Sequence, residues 1–158
     1  MRAWRLTRAE FAEQPLSGVG ASLVGGRWNS AGRELLYAAD SIASAVLEVL
    51  VHLEGWIPEG QYVAVELQID DDIGLTRLAP AELPTGWDEI PPVASVGFGD
   101  TWLDRAEAVG LVVPSVVVRG HSNILLNPAH ADFARIVVVD QQPFVFDRRL
   151  LLRPLHRP

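Results

Sequence analysis

An arginine in a glycine-rich stretch, a tyrosine, a glutamate inside an apolar helix and a serine after a proline are the residues of this chain with chemistry to offer. The stretch is Gly25-Gly26-Arg27-Trp28-Asn29-Ser30, with Gly32 close behind. Glycine lets a backbone take positive φ and approach a ligand closely. Arginine brings a planar fork of donors suited to phosphate oxygens. Tryptophan adds a flat apolar face, and asparagine an amide that donates and accepts. Together they suit a ligand with both a charged and an aromatic part; the alternative is a glycine-rich hairpin with Trp28 in the core. Tyr37, Glu48 and Ser115 extend the set. It fits cleavage at a glycosidic carbon that bears a cationic leaving group. Arg27 would hold a pyrophosphate, and Tyr37 or Trp28 would stack on a flat pyridinium ring. Glu48 would bond a ribose hydroxyl and stabilise an oxocarbenium-like transition state. Positioning and electrostatics would carry most of the rate.

Other chemistries fit less well. The chain has no cysteine, which removes disulfides and thiolate metal sites. His52, His121, His130 and His156 show no closely spaced ligand pair, so no metal is expected. Ser115 lies in Val-Pro-Ser-Val, without the glycines of a nucleophile elbow. Neither a dinucleotide-fold fingerprint nor a Walker A pattern occurs. A net charge of −7 argues against a general nucleic-acid binder, though a local basic pocket could take a small phosphate ligand. Met1 leads straight into Arg2-Ala3-Trp4-Arg5 with no apolar signal core, and no run is long enough to span a bilayer. A cytoplasmic location is therefore the expectation. Asp70-Asp71-Asp72 reads as a solvated turn.

The elements that must position these groups come next. The length of 158 residues and 49% hydrophobic content suit one domain with a real core. Arg2 to Leu6 reads as a strand with Trp4 and Leu6 on one face; Arg5, on the other, is either a surface charge or a second anion contact. Leu16 to Gly26 reads as a loop, and Glu34 to Ala39 as a strand. Asp40-Ser41 caps a helix over Ile42 to Leu53, with Ala43, Val46, Leu47, Leu50 and Val51 as its apolar stripe; Gly55 and Pro58 end it. Gln61 to Asp70 alternates as a strand. Leu78 to Pro92 is proline-rich and irregular, a lid, a partner surface or a plain connection. Asp100-Thr101 reads as the cap of a second helix, Trp102 to Val109, closed by Gly110. Leu111 to Val118 reads as a buried strand that Pro114 forces to bulge or to an edge, with Ser115 bonding either local backbone or the pocket. Ile124 to Leu126, Arg135 to Asp140 and Phe144 to Phe146 add short strands, and the tail from Arg153 is surface-bound or frayed. Strands without regular βαβ alternation give an α+β fold with mixed or antiparallel sheets and a few helices.

Seven motifs in order carry a resemblance. They are Gly-Gly-Arg27-Trp28-Asn29; Leu-Leu-Tyr37-Ala; Ala45-Val-Leu-Glu48-Val-Leu-Val-His52; Gly99-Asp100-Thr-Trp102-Leu; Val113-Pro114-Ser115; Asn123-Ile-Leu-Leu-Asn127-Pro128-Ala-His130; and Phe144-Val-Phe146-Asp147-Arg-Arg-Leu150. In this order they resemble the RES-domain family, named for an arginine, a glutamate and a serine, over almost the whole chain, so that 1–158 is expected to be a single RES domain. The resemblance implies a fold like the diphtheria-toxin type of ADP-ribosyltransferase. It also implies a toxin of a type II toxin–antitoxin pair that consumes NAD+, with water, phosphate or a protein side chain as acceptor. The partner it implies is an Xre-type antitoxin, whose helix-turn-helix would make any DNA contact. Carried over by motif, Arg27, Tyr37, Glu48 and Ser115 form the catalytic set, and Arg27, Trp28, Tyr37, Asn123 and Asn127 the NAD+ contacts.

Overall fold

The computed structural model describes residues 1–53 and 62–150. The helix expected to run to Leu53 stops at Leu50, capped at Val51; Gly55, Pro58, the start of a strand at Gln61, and the tail with His156 lie outside the described residues. Seven strands form one sheet: β1 (Arg2–Arg8), β2 (Leu36–Ala39), β3 (Tyr62–Gln68), β4 (Leu75–Arg77), β5 (Gly110–Pro114), β6 (Ser122–Leu126) and β7 (Val137–Phe144), in the order β4-β5-β6-β2-β1-β3-β7. Every pairing is antiparallel except β4 with β5. Three α-helices accompany it among the described residues: α1 (Val19–Val24), α2 (Ile42–Leu50) and α3 (Val93–Arg105). The α+β architecture with a mixed sheet is as expected.

The two sheet faces have different duties. Ala3, Leu36, Ala38, Val63, Val65, Leu67, Val112, Ile124 and Leu126 point one way into the largest core cluster. The strict alternation of β3 puts Val63, Val65 and Leu67 there, as a period of two requires. On the opposite face, α2 covers Leu6, Ala39 and Tyr62. Beside it Trp28 and Trp102 pack on Leu111, Val113 and Leu125. The site lies on this second face.

Several expected elements are displaced. Residues 19–24 form the short helix α1 rather than a loop, and β4 was not anticipated at all. The second helix begins at Val93, not Trp102, so Asp100 is interior to it; Ala106, at φ 47°, closes it rather than Gly110. Gly99, inside α3, is required where it stands, because a Cβ there would overlap the Trp28 carbonyl. Gly110 instead opens β5, where the side chains of Leu75 and Leu126 would lie 2.7 Å from any Cβ. The expected strand at 135–140 is β7, which starts at Val137 and runs on to Phe144, while Val145 and Phe146 of the expected strand at 144–146 lie outside it; Pro143 is tolerated because β7 is an edge.

The buried stripe of α2 also differs from the expected one. Ile42, Ala45, Val46, Val49, Leu50 and Leu53 face the sheet, whereas Leu47 and Val51 are exposed. Both sets repeat with helical spacing in a helix that is apolar nearly all round, so periodicity alone could not choose between them. Packing chose the face with Ala45, whose small side chain lets α2 sit close on Ala39. Ser44 and Glu48 consequently fall on the flank toward β6.

Candidate functional site

The carboxylate of Glu48 is held from two sides. Its Oε1 accepts the Ser115 hydroxyl at 2.7 Å and the Asn123 amide at 2.8 Å. Among the described residues no protein donor reaches Oε2. Ser115 is 5% exposed, and its Oγ accepts the backbone N–H groups of Val117 and Val118 at 3.1 and 2.9 Å. Of the two alternatives at Ser115, both occur together: it binds the local backbone and also faces Glu48. With its proton on Glu48 and both lone pairs occupied, the hydroxyl orients the carboxylate and is not free to act as a nucleophile. Pro114 ends β5 opposite Ser122, which releases the chain into the turn that makes these contacts. Asn123 keeps one further atom, Oδ1, buried and without a partner among the described residues.

The glycine loop forms the second half. Gly26 and Asn29 close it through Gly26 N–H to Asn29 O at 2.9 Å. The Tyr37 hydroxyl donates to Asn29 Oδ1 at 2.7 Å and accepts the Trp28 N–H at 3.0 Å. Gly26 has to be glycine, since a Cβ would stand 2.6 Å from the Tyr37 oxygen. Burial pushes the Tyr37 phenol well above its ordinary value, against the opposing effects of the Trp28 N–H and the nearby Arg27 charge, so it stays protonated. The Asn29 amide nitrogen reaches the carbonyls of Ala21 and Arg33 at 3.0 and 2.9 Å, tying the loop to α1. Asp100 accepts from both the Ser30 N–H at 3.0 Å and the Ser30 hydroxyl. The residue expected to cap a helix therefore clamps the loop to the middle of α3.

Arg27 is half-buried, and its Nη1 donates to the carbonyls of Trp87 and Glu89 at 3.1 and 3.0 Å. Among the described residues no carboxylate pairs with it, which leaves the N–H groups on Nε and Nη2 for a ligand. The proline-rich segment is thus laid against the site arginine. Trp28 differs from the expectation of a ligand contact: it is 1% exposed, stacked on Trp87 at 6.1 Å and edge-on to Phe98 at 6.2 Å. The indole has become a core side chain because the close approach of α3 at Gly99 encloses it.

Sheet register joins the two halves. Tyr37 pairs with Leu125 and Ala39 with Asn123, so Tyr37 and Asn123 are diagonal neighbours on one face. Such neighbours stand about 7–8 Å apart. Asn127 is not part of this group. It lies past the far end of β6, accepts the Ala129 N–H, and lines an open groove of about 420 Å³ with Arg33 and Glu34. Its four-residue separation from Asn123 along the chain puts it beyond the opposite end of β6. A second groove, about 480 Å³, runs from Arg77 to Pro114 and His121. Neither groove is lined by Glu48 or Arg27. Arg5 is neither a surface charge nor on this face: beneath the loop before α1 it donates to Ser17 O at 2.9 Å, and burial pushes it down to about 10. Among the described residues no cluster of His, Asp and Glu could hold a metal ion, and no helix is long and apolar enough to cross a membrane.

Sequence reasoning missed Asp40, Asp100 and the Trp87–Glu89 backbone. Asp40 carried a signal, standing one residue before a helix-capping serine. The other two act across more than sixty positions, where no local pattern reports contact.

The family described as RES domain matches residues 2–147. The chain is 37% identical over 154 residues to a protein of Sphingobium sp. named Prs ADP-ribosylating toxin, covering 94% of this chain and 95% of that one. It is 34% identical over 152 residues to a protein of Yersinia enterocolitica named Toxin Res, covering 95% and 99%. A solved chain from the M. tuberculosis MbcT–MbcA toxin–antitoxin complex superposes with a TM-score of 0.71 at 19% identity, over 91% of this chain and 84% of that one, which shows a shared fold. The relatives are thus toxins, and the chain belongs to the RES domain family.

Proposed function

We propose that this chain is the toxin of a type II toxin–antitoxin system and consumes NAD+ by cleaving its nicotinamide–ribose bond. The observation that carries this reading is the Glu48 carboxylate, fixed through one oxygen by Ser115 and Asn123, with no donor to the other oxygen among the described residues. The free oxygen accepts a ribose hydroxyl, and its charge stabilises the cation that develops at the anomeric carbon. The glycosidic C–N bond breaks, and its electron pair leaves with nicotinamide, which becomes neutral. An oxygen of water or phosphate then bonds to the anomeric carbon and gives up its proton. Arg27 holds the pyrophosphate with its remaining N–H donors, and the Tyr37 ring lies against the nicotinamide.

The Sphingobium relative's name favours a second reading, in which a protein side chain is the acceptor. One experiment separates them. The purified chain is incubated with adenine-labelled NAD+, with and without phosphate and with a cell lysate. Release of nicotinamide together with soluble labelled ADP-ribose or its phosphate supports degradation, while label fixed on one lysate protein supports transfer. Intact NAD+ in every arm overturns both.

The partner in this proposal is an Xre-type antitoxin that covers Arg27 and Glu48 in the cytoplasm. Exposed apolar side chains support such a surface: Leu23 and Val24 on the approach to the glycine loop, and Leu47 and Val51 beside Glu48 on α2. A purified complex turning over NAD+ at the full rate of free toxin would rule out occlusion.

A further inference from the structure

We propose that Asp40 is a positioning residue for this site: with His121 it latches the turn that carries Ser115 to the strand–helix corner that carries Glu48. The inference rests on the reading of Glu48 as the catalytic carboxylate and adds how that carboxylate is aligned.

Asp40 lies between β2 and Ser41, the cap of α2. Its Oδ1 meets His121 Nδ1 at 2.9 Å and the Ser44 hydroxyl at 3.3 Å; its Oδ2 accepts the Ser122 N–H at 2.7 Å. A carboxylate only accepts, so the His121 Nδ1 carries a proton here. The Asp40 N–H in turn donates to Ser122 O at 3.1 Å. One residue thus holds both His121 and Ser122 at the end of the serine turn. The turn is closed by Ser115 N–H to His121 O at 2.9 Å, and its amides at Val117 and Val118 fix the Ser115 hydroxyl. From the other side, Asp40 bonds Ser44, one helical turn before Glu48. Its carboxylate therefore bridges the two segments that must meet for Ser115 to donate to Glu48. Burial works to raise the Asp40 carboxyl; the His121, Ser122 and Ser44 contacts outweigh it and hold the group below its ordinary range, so it is charged when the latch forms. Charge-assisted bonds of this kind are stronger than neutral ones. The flanking Gly120 and Arg119 belong to an exposed turn, which would otherwise be free to swing.

Two measurements test the latch. Asp40→Ala should lower kcat for NAD+ consumption about tenfold with KM unchanged, and should speed hydrogen exchange in the peptide spanning 115–123 of the free protein. Asp40→Asn keeps an acceptor for the Ser122 N–H and should restore part of both. Because Asp40 acts through Ser115, Asp40→Ala placed on a Ser115→Ala background should change kcat less than about twofold. A full, multiplicative loss in the double variant would show an independent structural effect and overturn the latch. Unchanged exchange in Asp40→Ala would overturn it as well. A wild-type chain that leaves NAD+ intact overturns the proposed function instead, and the exchange measurement, which needs no turnover, then decides the latch by itself.

Discussion

Replacing Glu48 with glutamine separates the charge of the carboxylate from its shape. Oε1 accepts two hydrogen bonds, and the glutamine carbonyl can accept both from Ser115 and Asn123. The amide nitrogen then takes the place of Oε2, which has no described protein donor to oppose it. The fold should therefore be kept, with a melting temperature within a few degrees of wild type. What disappears is one negative charge beside the reacting carbon. A unit charge about 4 Å away in an effective dielectric of about 20 is worth about 4 kcal/mol. Placed wholly in the transition state, that is a loss of about a thousandfold in kcat, in line with the effects of removing preorganised stabilising groups. Chromatographic measurement of nicotinamide release reads it directly, and growth on expression without an antitoxin reads it in cells. Glu48→Gln within about tenfold of wild type would refute the argument, because shape and hydrogen bonding would then suffice.

Tyr37→Phe should destabilise by about 1–3 kcal/mol, since it strands Asn29 Oδ1 and the Trp28 N–H; thermal melting should fall by about 2–4 °C per kcal/mol. Gly26→Ala forces a methyl against the Tyr37 hydroxyl, 2.6 Å away, and should raise KM for NAD+ and lower the melting temperature together. For Asp40 the folded carboxyl lies below its ordinary value of 3.8, so its contribution is present above that value and is lost as pH falls through the folded pKa. Urea midpoints should show Asp40→Asn less stable than wild type near about pH 7, with the difference shrinking as pH falls below the ordinary carboxyl value; a gap that grows on acidification would contradict the sign.

How far the sequence could be read depends on the range of the interaction involved. Strand alternation in β3 and the serine cap of α2 are local, and both stand as expected. So does the join of β2 to α2 through Asp40 and Ser41. The stripe of α2 was displaced because its apolar residues satisfy two faces, and only Ala39 and Leu6 across the interface decide between them. Gly99 shows the same limit from the other side: its propensity argues against a helix, while a backbone contact with Trp28, seventy-one positions earlier, requires it there. The short strand β4 has three residues, and its place depends on parallel pairing with β5, which no neighbouring residue announces.

Two hydrogen-bonded clusters are anchored to neighbouring strands of this sheet. In the first, Tyr37, Asn29 and Trp28 use their polar atoms on one another and Asp100 clamps the loop, so that Arg27 is presented by a rigid frame. In the second, Ser115 and Asn123 spend theirs on Glu48. The only element common to both is the β2–β6 pair, whose register sets Tyr37 diagonal to Asn123. A slip of one residue would send Asn123 to the opposite face and leave Glu48 with one donor in place of two. That register is fixed by apolar partners on both faces: Leu36 with Leu126 and Ala38 with Ile124 on one, Tyr37 with Leu125 on the other. In the proposed function, the alignment of Arg27 with Glu48 would thus be a property of the core. Core substitutions in β6 that keep the fold but loosen pairing, such as Ile124→Ala, should lower kcat beyond what their effect on melting temperature alone would account for. A kcat that tracks the folded fraction in such variants would show that the two clusters find each other without the sheet.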